Sequence, residues 1–178
     1  MYNKTPIKFS CLKCGQCCRT LLKENKGIIT GLELTPSEAK KFPSNILHPR
    51  YGRGKTENSI SKITTYQIST DICPHLGNGA CKIYNERPLS CRRFPLMHSS
   101  ENITNVALGK DCSFIENLET KLGYKLNYLF SRSTFIDYNC WDALTTNNRL
   151  MEIDDIDSQL EGMNIFEFNL KNMKWLKI

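Results

Sequence analysis

Four cysteines fall within eight residues, Cys11-x-x-Cys14-Gly15-x-Cys17-Cys18, and nothing else constrains the fold of this chain as tightly. A segment so dense in thiols and broken by glycine leaves no room for the apolar periodicity of an ordinary helix or strand. Lys8 to Thr20 therefore reads as a loop that wraps a ligand. Deprotonated sulfur is the donor selected by zinc, copper(I) and iron–sulfur clusters. Cys73, Cys81, Cys91 and Cys112 follow in the middle of the chain, and a ninth cysteine, Cys140, stands apart.

Two overlapping Cys-x-x-Cys turns bring Cys11, Cys14 and Cys17 to one place, which is how a bacterial ferredoxin cluster run begins. The ferredoxin spacing to the next cysteine is absent, because Cys18 follows at once. A remote cysteine followed by proline, the other ferredoxin element, exists as Cys73-Pro74. Neighbouring side chains diverge, so Cys17 is expected to join Cys11 and Cys14 while Cys18 faces a second site or a supporting position. The eight cysteines would in number supply two four-thiolate sites. One cluster with a few structural thiols is the alternative. All-cysteine zinc sites favour two separate C-x2-C knuckles, and no second, remote one occurs, which tilts the reading towards iron–sulfur and leaves zinc open.

Cys140, in Asn139-Cys140-Trp141, sits among apolar residues and reads as a buried small hydrophobe rather than a ligand. His75 and His98 lie near the cysteines; either could replace a thiolate, but a hydrogen-bonded or surface role is the more ordinary one. His48 carries no argument. Arg87, Arg92 and Arg93 would stabilise anionic sulfur beside them and tune a redox potential. The competing reading, a structural clamp, has Arg87-Pro88 fixing the turn and Arg92 pairing with a carboxylate or helix end.

The first ten residues contain no apolar core of a signal peptide. No apolar run approaches the roughly 20 residues of a membrane-spanning helix. The expected compartment is the cytosol, where thiols stay reduced and cysteine patterns mark metal or catalysis rather than disulfides. Net charge is +6, but residues 1–150 hold 21 Lys and Arg against 12 Asp and Glu, while the last 28 hold 3 against 6. The cations are scattered and form no run, which disfavours nucleic acid as a partner. Cations that offset metal-bound thiolates account for them better.

At 178 residues the chain suits one domain with a small appendage. We expect a cysteine-cluster domain over 1–150 and an acidic and aromatic tail over 151–178. Residues 26–34 read as a strand with a glycine interruption. Thr35-Pro36-Ser37-Glu38 forms a capping box that starts a helix over 35–42. Pro49, Gly52 and Gly54 mark residues 43–59 as a loop. Residues 60–70 are a strand. Asn78-Gly79 is a tight turn that would let Cys73 and Cys81 converge. Arg87 to Pro95 allows one or two helical turns. Residues 103–108 are a strand, 113–122 a helix opened by a Ser113–Glu116 capping box, and 138–150 a further helix. Residues 152–161 carry five acids and read as a solvated stretch. Phe166, Phe168, Leu170, Trp175 and Leu176 would dock the tail on the body. The fold expected is a small, irregular α+β one, with short strands and loops wrapping the thiolate site or sites under covering helices.

The CxxCxxCC block, Cys73-Pro74-x-Leu76 and Gly79-x-Cys81-x-Ile83-Tyr84-x-x-Arg87-Pro88-x-x-Cys91-Arg92-x-Phe94-Pro95 together resemble the YkgJ-type cysteine-cluster family, described as zinc- or iron-chelating. The resemblance runs from Cys11 to about Cys112. It implies chelation by Cys11, Cys14, Cys17, Cys18, Cys73, Cys81, Cys91 and Cys112. That family is similar to the cysteine-rich part of flagellin lysine N-methylases, which implies an iron–sulfur cofactor and opens an enzymatic reading.

Four functions follow. The first is a metal-binding protein with a structural or redox site. The second is a protein-modifying enzyme related to the N-methylases, against which stands the absence of a glycine-rich nucleotide loop or a CxxxCxxC radical motif. The third is metal trafficking or buffering through exchangeable thiolates. The fourth is a nucleic-acid-binding zinc module, which the diffuse charge disfavours.

Overall fold

The computed structural model describes residues 6–98, 106–109, 111–123, 125–126, 128–129, 135–136, 139–146 and 162–178. The chain forms two compact units, one from Met1–Cys17 with Gly77–Asn147 and the other from Cys18–Leu76 with Asn148–Ile178. Short strands, several small sheets and short helices make this a small, irregular α+β fold.

The second unit is built on a five-stranded antiparallel sheet in the order Lys174–Lys177, Asn164–Asn169, Leu47–Thr56, Ser59–Ile68 and Glu33–Leu34. A hairpin of Lys23–Asn25 and Ile28–Thr30 accompanies it. Leu34 and Ile68 are fully buried and, with Leu21, Ala39, Phe42, Cys18 and Cys73, form its core. The capping box is realised: the Glu38 amide donates to Thr35 Oγ1, the Thr35 amide donates to the Glu38 carboxylate, and the helix Pro36–Ala39 follows.

The expected loop over 43–59 is instead the ten-residue strand Leu47–Thr56 and the turn after it. Its turn-like residues serve other ends. The ladder shifts register between Pro49 and Tyr51 and again around Gly52 and Gly54, and such bulges are where a sheet accepts proline. A Cβ on Gly52 would come within 2.9 Å of the Trp175 ring, and one on Gly54 within 2.3 Å of the Ser59 carbonyl oxygen. These glycines permit close packing inside a sheet.

Gln67, fully buried, ties three segments together. Its Oε1 accepts from the Gly31 amide at 2.8 Å, and its Nε2 donates to the Pro49 and Phe168 carbonyls at 2.7 and 2.9 Å. Phe166 and Phe168 are buried as members of a strand. The Phe168 ring meets Trp175 edge-on at 5.2 Å and stacks with His48 at 6.2 Å.

In the first unit, Val106–Leu108 lies between Leu96–His98 and Tyr128–Leu129 in a three-stranded sheet, and Ile7–Lys8 runs parallel to Phe135–Ile136. Helices cover Leu89–Arg93, Ser113–Leu122 and 139–146. The middle one ends at Gly123 in the left-handed conformation, φ 73°, which glycine adopts without a Cβ penalty. Leu96, Leu108, Ile115 and Leu144 form the core together with Cys112 and Cys140. The parts of the expected strand over 103–105 and of the expected helix at 138 and over 147–150, and the acidic stretch 152–161, lie outside the described residues. Among the described residues no helix is long and apolar enough to cross a membrane.

Candidate metal centre

All nine cysteines are free thiols. Seven belong to the first unit: Cys11, Cys14, Cys17, Cys81, Cys91, Cys112 and Cys140. Cys18 and Cys73 belong to the second.

The cysteine loop bends on left-handed backbone at Lys13, φ 54°, and Gly15, φ 71°. The bend turns the Lys13 amide towards Cys11 Sγ at 3.4 Å. Cys112 stands at the start of the helix Ser113–Leu122, and Cys14 Sγ lies 3.3 Å from the Ser113 hydroxyl. The capping box expected at Ser113 is therefore not formed. The N-cap is Cys112, and the Ser113 hydroxyl has found Cys14, a partner that only the tertiary structure supplies.

Burial pushes the Cys112 thiol up from its ordinary range, and the charges of Cys11 and Cys14 push it the same way, against the amides of Ile115 and Phe114. Cys11 and Cys14 thus lie near enough to Cys112, about a hundred residues away in sequence, for their charges to act on it, and as anions the three oppose one another. A soft cation among them reverses that repulsion. Among the described residues, however, no three Cys, His, Asp or Glu side chains meet the spacing of a closed metal site.

Cys17 and Cys18 occupy one 3₁₀ turn, Gln16–Cys18, with Cys17 exposed and Cys18 buried. Cys18 packs with Cys73: the Cys73 amide donates to the Cys18 carbonyl at 2.8 Å, and the two thiols are hydrogen-bonded. That thiol bond, with lesser help from His75 and the Leu76 amide, outweighs burial and brings the Cys73 thiol down to about 6. His75 is readable from sequence only as a neighbour of the cysteines. Its Nε2 lies 2.9 Å from the Lys41 carbonyl and its ring meets Phe42 edge-on, so it is a hydrogen-bonded residue that also favours the Cys73 thiolate.

Cys81 ends the strand Ala80–Cys81 after the turn at Asn78 and Gly79, both with positive φ, and Cys91 lies within the helix Leu89–Arg93. Both are partly buried. Cys140 is buried in the core, its thiol 3.5 Å from the Phe94 carbonyl, as a small hydrophobe would be. His98 ends the strand Leu96–His98. Arg87 donates from Nε to the Tyr84 carbonyl at 2.9 Å and lies 3.8 Å above the Tyr84 ring; Arg92 is exposed on the short helix. Both border a cleft shared with Cys11.

The donor set is all soft sulfur with one hydroxyl beside it, which fits zinc or iron–sulfur and not a hard cation. Residues 10–113 match the family model CxxCxxCC, described as "Putative zinc- or iron-chelating domain". No curated protein and no solved structure matches the chain.

Proposed function

The chain belongs to the CxxCxxCC family of zinc- or iron-chelating domains, and from that premise we propose that it is a cytosolic protein that holds iron as an iron–sulfur cluster, with zinc as the alternative occupant. The observation that carries this reading is the approach of Cys112 to Cys11 and Cys14 from a distant part of the chain. The thiolates of Cys11, Cys14, Cys17 and Cys112 would hold the group, with Cys81 and Cys91 of the same unit as further donors. Cys18 and Cys73 would form a second thiolate pair. Such a cluster, when bound, supplies one-electron transfer. The chain's own contributions are distinct from it. The Lys13 amide donates to Cys11 Sγ, the Ser113 hydroxyl lies within hydrogen-bond reach of Cys14 Sγ, and the buried position of Cys112 keeps water from that side.

Metal hand-off is the second reading, favoured by one observation: Cys14 and Cys17 are exposed to solvent. Transfer to a partner's thiolates requires such access.

Metal and acid-labile sulfide analysis of protein purified without air tests the proposal. Iron with stoichiometric sulfide supports the cluster. Zinc without sulfide overturns it and leaves the zinc reading. Rapid loss of the metal to a competing chelator, with the fold retained, supports hand-off.

A further inference from the structure

The cleft beside Cys11 has a volume of about 620 Å³, within the range of small-molecule sites. Its polar groups lie on two walls. One is the segment that carries Tyr84, Arg87 and Arg92; the other is the helix over 139–146, whose Asn139, Asp142 and Thr146 recur at helical spacing along one face. Phe9 and Phe94 add apolar surface.

Arg87 is pre-organised. Its Nε is bonded to the Tyr84 carbonyl and its plane is held on the Tyr84 ring, so the guanidinium orientation is set before any ligand arrives. Its Nη groups have no partner among the described residues, nor does the Arg92 guanidinium. Two cationic forks therefore border one cavity with donors unspent.

We propose that this cleft binds a small planar carboxylate carrying an apolar or aromatic body, with Arg87 and Arg92 gripping the carboxylate. An arginine fork matches a carboxylate in two parallel hydrogen bonds. The charge of the walls selects the class. The two arginines outnumber Asp142, the acidic side chain on the walls, by one, so the cleft has capacity for one negative charge and disfavours a doubly charged phosphate. The apolar body lies against Phe9 and Phe94. Tyr84 rather than a thiolate holds Arg87, while Arg92 shares the short helix Leu89–Arg93 with Cys91, so metal content is followed beside binding.

The test is calorimetric titration of the protein as purified with benzoate and, separately, inorganic phosphate, with metal per chain measured on the same samples. Arg92→Ala, Arg87→Lys and, as a control, Lys55→Ala are compared. The expected result is saturable benzoate binding, tighter than phosphate, weakened roughly tenfold or more in Arg92→Ala and Arg87→Lys and unchanged in Lys55→Ala. Metal content is unchanged in all three. Absence of saturable benzoate binding overturns the proposal, as does binding indifferent to both arginine variants or a preference for phosphate. Loss of metal together with loss of binding in Arg92→Ala also overturns it, because the arginines then serve the thiolates. A protein that holds no metal yet binds benzoate refutes the metal reading alone.

Discussion

Cys18 and Cys73 are held together twice, by a backbone hydrogen bond of 2.8 Å from the Cys73 amide to the Cys18 carbonyl and by a hydrogen bond between their thiols. The pair sits in the core of the sheet unit, beside Leu21, Leu34 and Ile68. Its neighbour in sequence, Cys17, is exposed in the other unit.

The pair makes a pH prediction for metal-free, reduced protein. Cys73 is brought down to about 6 by the Cys18 thiol first, then by His75 and the Leu76 amide, against its burial. A depressed acid contributes stability above its unfolded value and loses that contribution as pH falls through its folded value. Ultraviolet thiolate absorbance, referenced to Cys73→Ala, should therefore titrate near pH 6, and stability to urea should fall as the pH drops through that region. Cys18→Ala should move the titration upwards. A midpoint in the ordinary thiol range would show that the thiol bond does not set it.

Metal loading should divide between two groups of thiols. Cys112→Ala should remove metal held with Cys11 and Cys14, and Cys18→Ala should leave that fraction bound. Cys140→Ala should keep full loading, since its thiol faces the Phe94 carbonyl within an apolar core. Metal counted per chain in the three variants decides this. Loss of all metal in Cys18→Ala would remove the two-site picture.

Gly31 and Gly27 should differ in how strongly they respond to the same change. A Cβ on Gly31 would lie 1.8 Å from the Ile68 carbonyl oxygen, a backbone atom that cannot swing away. Gly27, at φ 82°, has nothing within 4 Å and meets only the left-handed backbone penalty. Gly31→Ala should cost about 3 kcal/mol or more and Gly27→Ala about 1 kcal/mol, read by chemical denaturation.

Gln67→Ala should cost about 2–4 kcal/mol, because it strands the Gly31 amide and removes two donations to the Pro49 and Phe168 carbonyls in a buried place. Gln67→Glu, which keeps the size and loses the amide donors, should be comparably destabilised at neutral pH.

Much of the site's chemistry is legible in the order of residues alone. The CxxCxxCC block, the expectation that Cys17 and Cys18 diverge, and the burial of Cys140 all follow from side-chain type and spacing. The capping box at Thr35 is legible for the same reason: its partners are three residues apart. Local patterns mislead where the partner is remote. Pro49, Gly52 and Gly54 carry turn chemistry, yet they lie in a strand because Trp175 and Ile60 pack against Gly52 and a bulge accommodates the proline. Ser113 reads as part of a helix cap, yet its hydroxyl lies beside Cys14.

Sequence by itself determined that this chain concentrates soft, deprotonatable donors and belongs among the chelating cysteine domains, because ligand type and local spacing are properties of contiguous residues. Only the tertiary structure decided that Cys112 approaches Cys11 and Cys14, that Cys18 pairs with Cys73, and that two arginines border a cavity. Those relations join residues tens of positions apart, and what brings such residues together is the burial of two cores and the sheet register, neither of which a local motif encodes.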